Sequence, residues 1–325
     1  MIRRRAFPLL LAAPALLGRA SAQAGWPDRP VKLVIPFPPG NTADIVARLL
    51  TEGLAARLGH PIVVENRVGA AGTLGVEAVA RARDGHSFLL TTASPLVISP
   101  AVQRVSYDPV HDFVPVSRLG SIAVMLVGRN DLPAATLMEL VALLRANPGR
   151  FEYASVGPGT FTHLTMELFR TAIGAEVTHV PYRGAGAAHA DLIGGRVALM
   201  FDSIASANAQ VAAGRLRGFA VSTPERSPFA PAVPTVRESG IATLQGFDVA
   251  VWAGLLAPAG TPPAVVAHLG QAVSAELARP EFQERLRMQS IAPQAPEAPE
   301  AFARILRREV AQWTRLAREL QLDVG

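Results

Sequence analysis

The residues best placed to do chemistry in this 325-residue chain are small and polar, and they sit in short loops that follow apolar runs. Pro38-Pro39-Gly40-Asn41-Thr42-Ala43-Asp44 is the first such loop, and Asn66 to Gly72 the second. Thr92-Ala93-Ser94 follows, then Ser155-Val156-Gly157-Pro158-Gly159-Thr160, Tyr182-Arg183-Gly184-Ala185 and Asp202-Ser203. Glycine lets a backbone come close to a small molecule, while Ser, Thr and Asn offer hydrogen bonds without fixed charge. Asn41 or Thr42 can also cap a helix that starts there. Such loops suit recognition of a small polar guest, with helix N-termini pointing free amides at it. Each terminus favours an anion by about 0.3–1 kcal/mol, whereas micromolar binding needs about 8 kcal/mol. Several direct or water-bridged hydrogen bonds in a closing cleft must supply the rest.

Catalytic patterns are missing by comparison. The chain has no G-x-S-x-G, no H-E-x-x-H and no G-x-x-x-x-G-K-[ST], and its first strand is followed by Pro-Pro-Gly-Asn-Thr-Ala rather than G-x-G-x-x-G. With no cysteine there is no disulfide framework, thiolate metal site, cysteine nucleophile or lipid-modified anchor. The histidines at 60, 86, 111, 163, 179, 189 and 268 lack metal-ligand spacing. No catalytic residue, metal or cofactor is therefore expected. His163 is expected to hydrogen-bond the Gly159-Thr160 loop rather than to act as a general base. Asp202 has two readings, a ligand for an ammonium group or a cap for the helix near Ser203. Tyr182 and Arg183 can reach the cleft, though Arg183 reads equally as a solvated turn residue; Arg48 and Arg67 read as structural.

The elements that must position these loops alternate along the chain. Val31 to Ile35 is a β-branched run of strand length, and Ile45, Val46, Leu49, Leu50, Leu54 and Leu58 recur at helical spacing up to Gly59. Ile62 to Val64 predicts a second strand, Val76 to Ala82 a helix, and Ser87 to Thr92 a third strand. The alternation returns with strands at 151–155, 177–180, 197–201 and 219–221, separated by helices. Parallel strands joined by helical crossovers describe an α/β sheet, here twice over. Glu65 to Gly72 and Pro181 to Ala188 occupy equivalent places after the second strand of each unit and are alike in type. Ala123 to Val127 and Val249 to Trp252 are apolar runs suited to strands crossing between two lobes. The remaining 70 or so residues are helical in pattern, with Phe302, Ile305, Leu306, Val310, Trp313, Leu316 and Leu320 on one face. The fold class expected is α/β, with lobe one at 26–123 plus 252–325, lobe two at 124–251, and a ligand cleft between them.

Composition agrees with a folded protein: half the residues are hydrophobic and 18% are charged. Arg3, Arg4 and Arg5 precede an apolar run from Phe7 to Leu17, and Ala22-Gln23-Ala24 completes the pattern of an export signal, residues 1–24, cleaved near Ala24. Arg4-Arg5-Ala6-Phe7 also resembles a twin-arginine signal, so the export route stays open. The net charge of +5 then changes meaning. Removing 1–24 takes four arginines and no acid, leaving 27 basic against 26 acidic residues. A nearly neutral protein has no field to hold a polyanion, so nucleic acid is excluded as a partner.

The same residues resemble the substrate-binding proteins of tripartite tricarboxylate transporters, the Bug family. The matching stretches are Trp26-Pro27-Asp28-Arg29-Pro30, Pro36 to Gly40 with Asp44 and Arg48, Glu65-Asn66-Arg67, Tyr153-Ala154-Ser155 through Gly159-Thr160 to His163-Leu164, and Val180 to Gly184. Gly194-Gly195, Phe201-Asp202-Ser203, Pro234-Thr235 and Ala257 to Pro262 complete the series in order. The resemblance implies a periplasmic binding protein of class II topology that carries a small organic acid to membrane permease subunits, one large and one small. It implies that Gly40, Asn41, Asp44, Ser155, Gly159 and Thr160 hold a carboxylate, partly through water, with Asn66, Tyr182 and Asp202 lining the cleft; Ser94 joins them from its strand-end position. Asn41 stands where the family has a second glycine, Ala71 where glycine is frequent, and Arg183 where lysine is usual. An arginine can grip a carboxylate through two parallel hydrogen bonds, which makes a diacid conceivable. The chain is expected to act as a monomer. A signalling component read by a sensor kinase, and an exported α/β enzyme, are the alternatives; the ligand itself, a tricarboxylate, an acidic amino acid or an aromatic acid, is left open.

Overall fold

The computed structural model describes residues 25–319 and 321–322. The expected export signal at 1–24, and Leu320 of the last apolar stripe, lie outside the described residues. The first lobe opens with strand β1 (Val31–Ile35), helix α1 (Thr42–Leu58), β2 (Ile62–Asn66), α2 (Thr73–Ala80) and β3 (Ser87–Thr92). A π-turn at 94–98 and a short helix α3 (Ser99–Val102) lead into β4 (Phe113–Gly128). The second lobe adds α4 (Leu137–Ala146), β5 (Glu152–Ser155), α5 (Phe161–Ala172), β6 (Thr178–Pro181), α6 (Ala185–Ile193), β7 (Leu199–Ser203), α7 (Ile204–Ala212) and β8 (Arg217–Val221). Strand β9 (Ala250–Pro258) returns the chain, and α8 (Pro263–Leu277), α9 (Pro280–Met288), β10 (Ala292–Pro293) and α10 (Pro299–Glu319) finish it.

Local signals explain most boundaries. Asn41 caps α1 through a bond from the Ala43 N–H, Asp44 lies in its first turn and Arg57 in its last, and Gly59 closes it at φ 70°. Helix α4, which the sequence reading did not expect, starts on a reciprocal Thr136–Glu139 capping box. Strand β3 is buried along its whole length, as a strand covered on both faces must be. Alternate residues serve two cores: Val34 joins the one under α10, while Leu33 and Ile35 join the one under α1 and α8. On α10, Phe302, Leu306, Trp313 and Leu316 are buried, and Phe302 meets Trp252 edge to face at 5.0 Å. No helix among the described residues is long and apolar enough to cross a membrane.

Strand directions decide where a cleft can form. Strands β1, β2 and β3 are mutually parallel, β3 is antiparallel to β9, and β9 to β4. The first three therefore run with β4. In the second lobe β5, β6 and β7 are parallel to one another and antiparallel to β4. Strand β4 pairs with β9 over 113–123 and with β7 and β8 over 124–128, so it passes from one sheet to the other. The carboxyl ends of β1–β3 and of β5–β7 consequently point at each other across that crossing. Both crossing strands are longer than the apolar runs that announced them, because each continues as a full sheet member inside the first lobe.

A buried serine ties the crossing together. Ser222 donates its N–H to the Val124 carbonyl and accepts the Val124 N–H on Oγ. The same hydroxyl donates to the Val249 carbonyl, and the Ser222 carbonyl accepts the Val249 N–H. One residue step away, Ala123 is already paired with Ala250 in the first lobe's ladder.

Candidate functional site

The loop after β1 is organised around Asp44, which is 2% exposed. Its Oδ2 accepts the Gly40 N–H at 2.9 Å and Arg48 Nε at 2.9 Å; its Oδ1 accepts Arg48 Nη2 at 3.0 Å and Asn66 Nδ2 at 2.9 Å. Burial alone would raise this carboxyl, but the donors from Arg48, Gly40 and Asn66 outweigh it and hold the group below its usual range. A carboxylate offers about four lone-pair positions, and here all are filled. Asp44 therefore braces the loop, and Arg48 is structural through it. Asn66 completes the brace by donating to the Phe37 carbonyl at 2.9 Å, which ties the end of β2 to the loop after β1. Asn41 is engaged in its cap. The Thr42 and Asp44 N–H groups at the start of α1 find no acceptor among the described residues.

The loop after β5 is held from beneath by histidines. Ser155 Oγ lies 2.6 Å from His179 Nε2 and accepts the Gly157 N–H at 3.1 Å. The Gly159 N–H donates to His163 Nδ1 at 3.2 Å, the loop-holding contact expected of that residue. Thr160 donates its hydroxyl to the Gly157 carbonyl at 2.6 Å and leaves α5 without a side-chain cap. Gly157 and Gly159 sit at φ 127° and 71°, where a side chain would be strained. The rings of His163 and His179 stack at 4.2 Å, and Tyr153 stacks on His179 at 4.9 Å. Two cations at the His163–His179 spacing would repel by about 4 kcal/mol at an effective dielectric of 20. Burial lowers His163, and burial with the neighbouring His163 takes His179 down to about 4. The Tyr153 hydroxyl donates to Glu167 Oε1 at 2.6 Å, and Glu167 is paired with Arg170.

Two further loops complete the second lobe's edge. Tyr182 turns its hydroxyl onto Asp191 Oδ2 at 2.8 Å, and its N–H onto the Ser155 carbonyl at 2.8 Å. Helix α6 begins beyond it with no side-chain cap, leaving the Ala185, Gly186 and Ala187 N–H groups without an acceptor among the described residues. Arg183 is exposed. Asp202, 3% exposed, accepts the Ser203 N–H on Oδ1, and its Oδ2 lies 3.0 Å from His189 Nε2 without the approach of a true hydrogen bond. The helix-cap reading of Asp202 is corrected here. Ser203 caps α7 through the Ser206 N–H, because its hydroxyl sits one residue nearer the helix.

Ser94 supplies the contact across the gap. Its Oγ accepts the Phe161 N–H, the first amide of the uncapped helix α5, at 3.1 Å. Of the expected site residues, Gly40, Asn41, Asp44 and Asn66 thus form one braced cluster, and Ser155, Gly159 and Thr160 a second. Ser94 bridges toward the second, while the Tyr182 hydroxyl and Asp202 turn toward α6. Beside the bridge, the crossing strands and α10 enclose about 230 Å³ lined by Ala93, Phe161, Arg118, Trp252 and Glu309 among others. Trp252 Nε1 donates to Glu309 Oε2 at 2.7 Å, and burial raises this glutamate to about 7. Arg118, nearby, is engaged with both oxygens of Glu297 at 2.7 and 2.8 Å.

Sequence reasoning passed over His179, His189, Ser222 and Glu309. His179 becomes visible only through the β5–β6 register, which sets Tyr153 opposite it. Among the described residues no group of three His, Cys, Asp or Glu side chains converges as a metal ion would need.

Comparison with known proteins points the same way. The family model of the tripartite tricarboxylate transporter family receptor matches residues 46–322. The periplasmic binding protein BugD is 35% identical, with a TM-score of 0.78 over 92% of this chain and 99% of its own. Rpa4515 of R. palustris, solved with adipate, is 33% identical, with a TM-score of 0.81 over 92% of this chain and 99% of its own. MatC of Rhodopseudomonas palustris, solved with bound malate, is 34% identical, with a TM-score of 0.78 over 90% and 99%.

Proposed function

Because the chain belongs to the family of tripartite tricarboxylate transporter receptors, we propose that it captures a small carboxylated metabolite in the periplasm and delivers it to membrane permease subunits. The family is one of receptors, not of enzymes, which sets aside the exported-enzyme reading. The observation that carries the proposal is the set of strand-end loops facing one gap and meeting at the Ser94–Phe161 bond. The lobes are read as 26–123 with 252–325, and 124–251, with Ala250 and Val251 laddered on the first lobe's side.

The donors for the acid group are the unoccupied amides at the starts of α1 and α6 and, on α5, those of Thr162 and His163 beyond the Phe161 amide that Ser94 takes, framed by Gly40, Asn41, Ser94, Ser155, Gly159, Thr160, Tyr182 and Asp202. Asp44 and Asn66 serve by holding the first loop in shape. Three helix ends give only about 1–3 kcal/mol of the roughly 8 that micromolar binding needs, so closure must add direct and water-bridged hydrogen bonds. Adipate and malate, held by two relatives, are the first acids to try.

A thermal-shift screen across mono-, di- and tricarboxylates tests the proposal, since a ligand at 100 times its Kd adds about 2.7 kcal/mol. No response to any of them would defeat it. For export, the N-terminal sequence of the protein recovered from a periplasmic extract is expected to begin at Gly25; recovery only in the cytosol would contradict that part.

A further inference from the structure

We infer that His163 and His179 are positioning residues for the captured acid, holding the Ser155–Thr160 loop in its gripping shape only while His163 is neutral. The inference rests on the capture reading above and deepens it: acidification would loosen the grip from inside the protein.

The geometry leaves little freedom. The Gly159 N–H needs a lone pair on His163 Nδ1, so the neutral ring must carry its proton on Nε2. A second proton would set two N–H donors against each other 3.2 Å apart. His179 meets the Ser155 hydroxyl, which also accepts the Gly157 N–H, so one imidazole reaches two points of the loop. The loop has few other means of holding itself, because two of its residues are glycines in the left-handed region.

The surroundings give a cation no welcome. Tyr153 from β5 and His163 both pack on His179, at 4.9 and 4.2 Å, and lie 6.4 Å from each other. Glu167 on α5 favours a cation on either ring, but Tyr153 and Arg170 engage both its oxygens and burial of the rings outweighs it. Arg170 itself adds positive charge beside the rings. His163 is 5% exposed, and burial acts on both rings in the same direction.

The test compares wild type with His163→Asn, whose Oδ1 takes the place of Nδ1 as an acceptor that cannot titrate, and with His163→Phe, which keeps a ring without an acceptor. Binding of malate and of adipate is measured by calorimetry from pH 8 to pH 4. At pH 8 His163→Phe is expected to bind about tenfold or more weakly, and His163→Asn within about threefold of wild type, as for a buried hydrogen bond lost or kept. As pH falls, wild-type affinity drops relative to His163→Asn; the acid's own titration is common to both and cancels in the ratio. A ratio that stays flat overturns the inference. The Gly159 amide, followed by hydrogen exchange without ligand, gives a second readout. Protection that falls with pH in wild type but not in His163→Asn supports the positioning role, and equal protection in the two overturns it. A wild-type protein that binds neither acid, nor any other carboxylate, defeats the capture reading instead, and the Gly159 exchange tells that failure apart.

Discussion

Replacing Ser94 by alanine removes the one side-chain bond that, among the described residues, joins a strand-end loop of the first lobe to the start of α5 in the second. Its Oγ accepts the Phe161 N–H at 3.1 Å, and on the proposed opening of the lobes water takes its place at a half-buried amide. The loss is thus the net worth of an exchanged hydrogen bond, about 0.5–1.5 kcal/mol, rather than the full cost of stranding a buried donor. Taking about 1 kcal/mol, the closed-to-open ratio falls roughly fivefold, and where closure is the minor state the apparent Kd rises by the same factor. Calorimetry with the acid found by screening reads the Kd, and small-angle scattering of the unliganded protein reads the lobe separation. Ser94→Ala should bind about two- to tenfold more weakly where the open form predominates, or scatter as a slightly larger particle where the closed form does, with nearly unchanged thermal stability. Unchanged affinity together with an unchanged radius of gyration would refute the idea that this bond links the lobes.

Other substitutions probe the rest of the site. Asp44→Ala strands Gly40 N–H and Asn66 Nδ2 and should lower unfolding free energy by about 2–4 kcal/mol in a denaturant titration, the half-exposed Arg48 adding little. Gly159→Ala forces a side chain into φ 71° and should lower stability by about 1–2 kcal/mol, with weaker acid binding by calorimetry. Glu309 sits at about 7 in the fold against 4.5 as a free side chain, so folding is favoured below pH 4.5 and that stability is lost as pH rises through 7. His179, at about 4 against 6.5, acts oppositely: it is the neutral form that folds, and stability falls as pH drops from 6.5 toward 4. Urea melts of Glu309→Gln should therefore show stability rising steadily from pH 4 to 6.5, where wild type is flatter; identical profiles would remove Glu309 from the account.

The fold was legible wherever burial imposes a pattern on the residues. Strand β3 could be read to its last residue because all six of its side chains are buried, and α1 because Asn41, Asp44, Arg57 and Gly59 mark its two ends. Helix α4 escapes the pattern because it is only ten residues long and its start is marked by the Thr136–Glu139 box alone. The site was legible as a set of loops but not as a set of contacts. Glycine and serine after a strand announce a strand-end loop; they do not say which amides the loop consumes itself. Asp44 looks like a ligand-facing carboxylate in the sequence, and only the convergence of Arg48, Gly40 and Asn66 turns it into a brace. Residues such as Ser222 and His179 depend on partners at least 16 positions away, and nothing local distinguishes them from any other serine or histidine.

The bonds of Ser222 have a mechanical consequence. They fasten residues 124 and 249 to the second lobe, while the Ala123–Ala250 rung fastens their neighbours to the first. A single peptide link per strand lies between the two fastenings, which leaves no slack for sliding or for pulling apart. On the proposed capture reading, the halves swing about the line through those two links, like a door on a pair of pins. Ser94 and Phe161 then come back to the same meeting point at each shutting, and the accuracy of that return is built into the frame rather than taught by the guest.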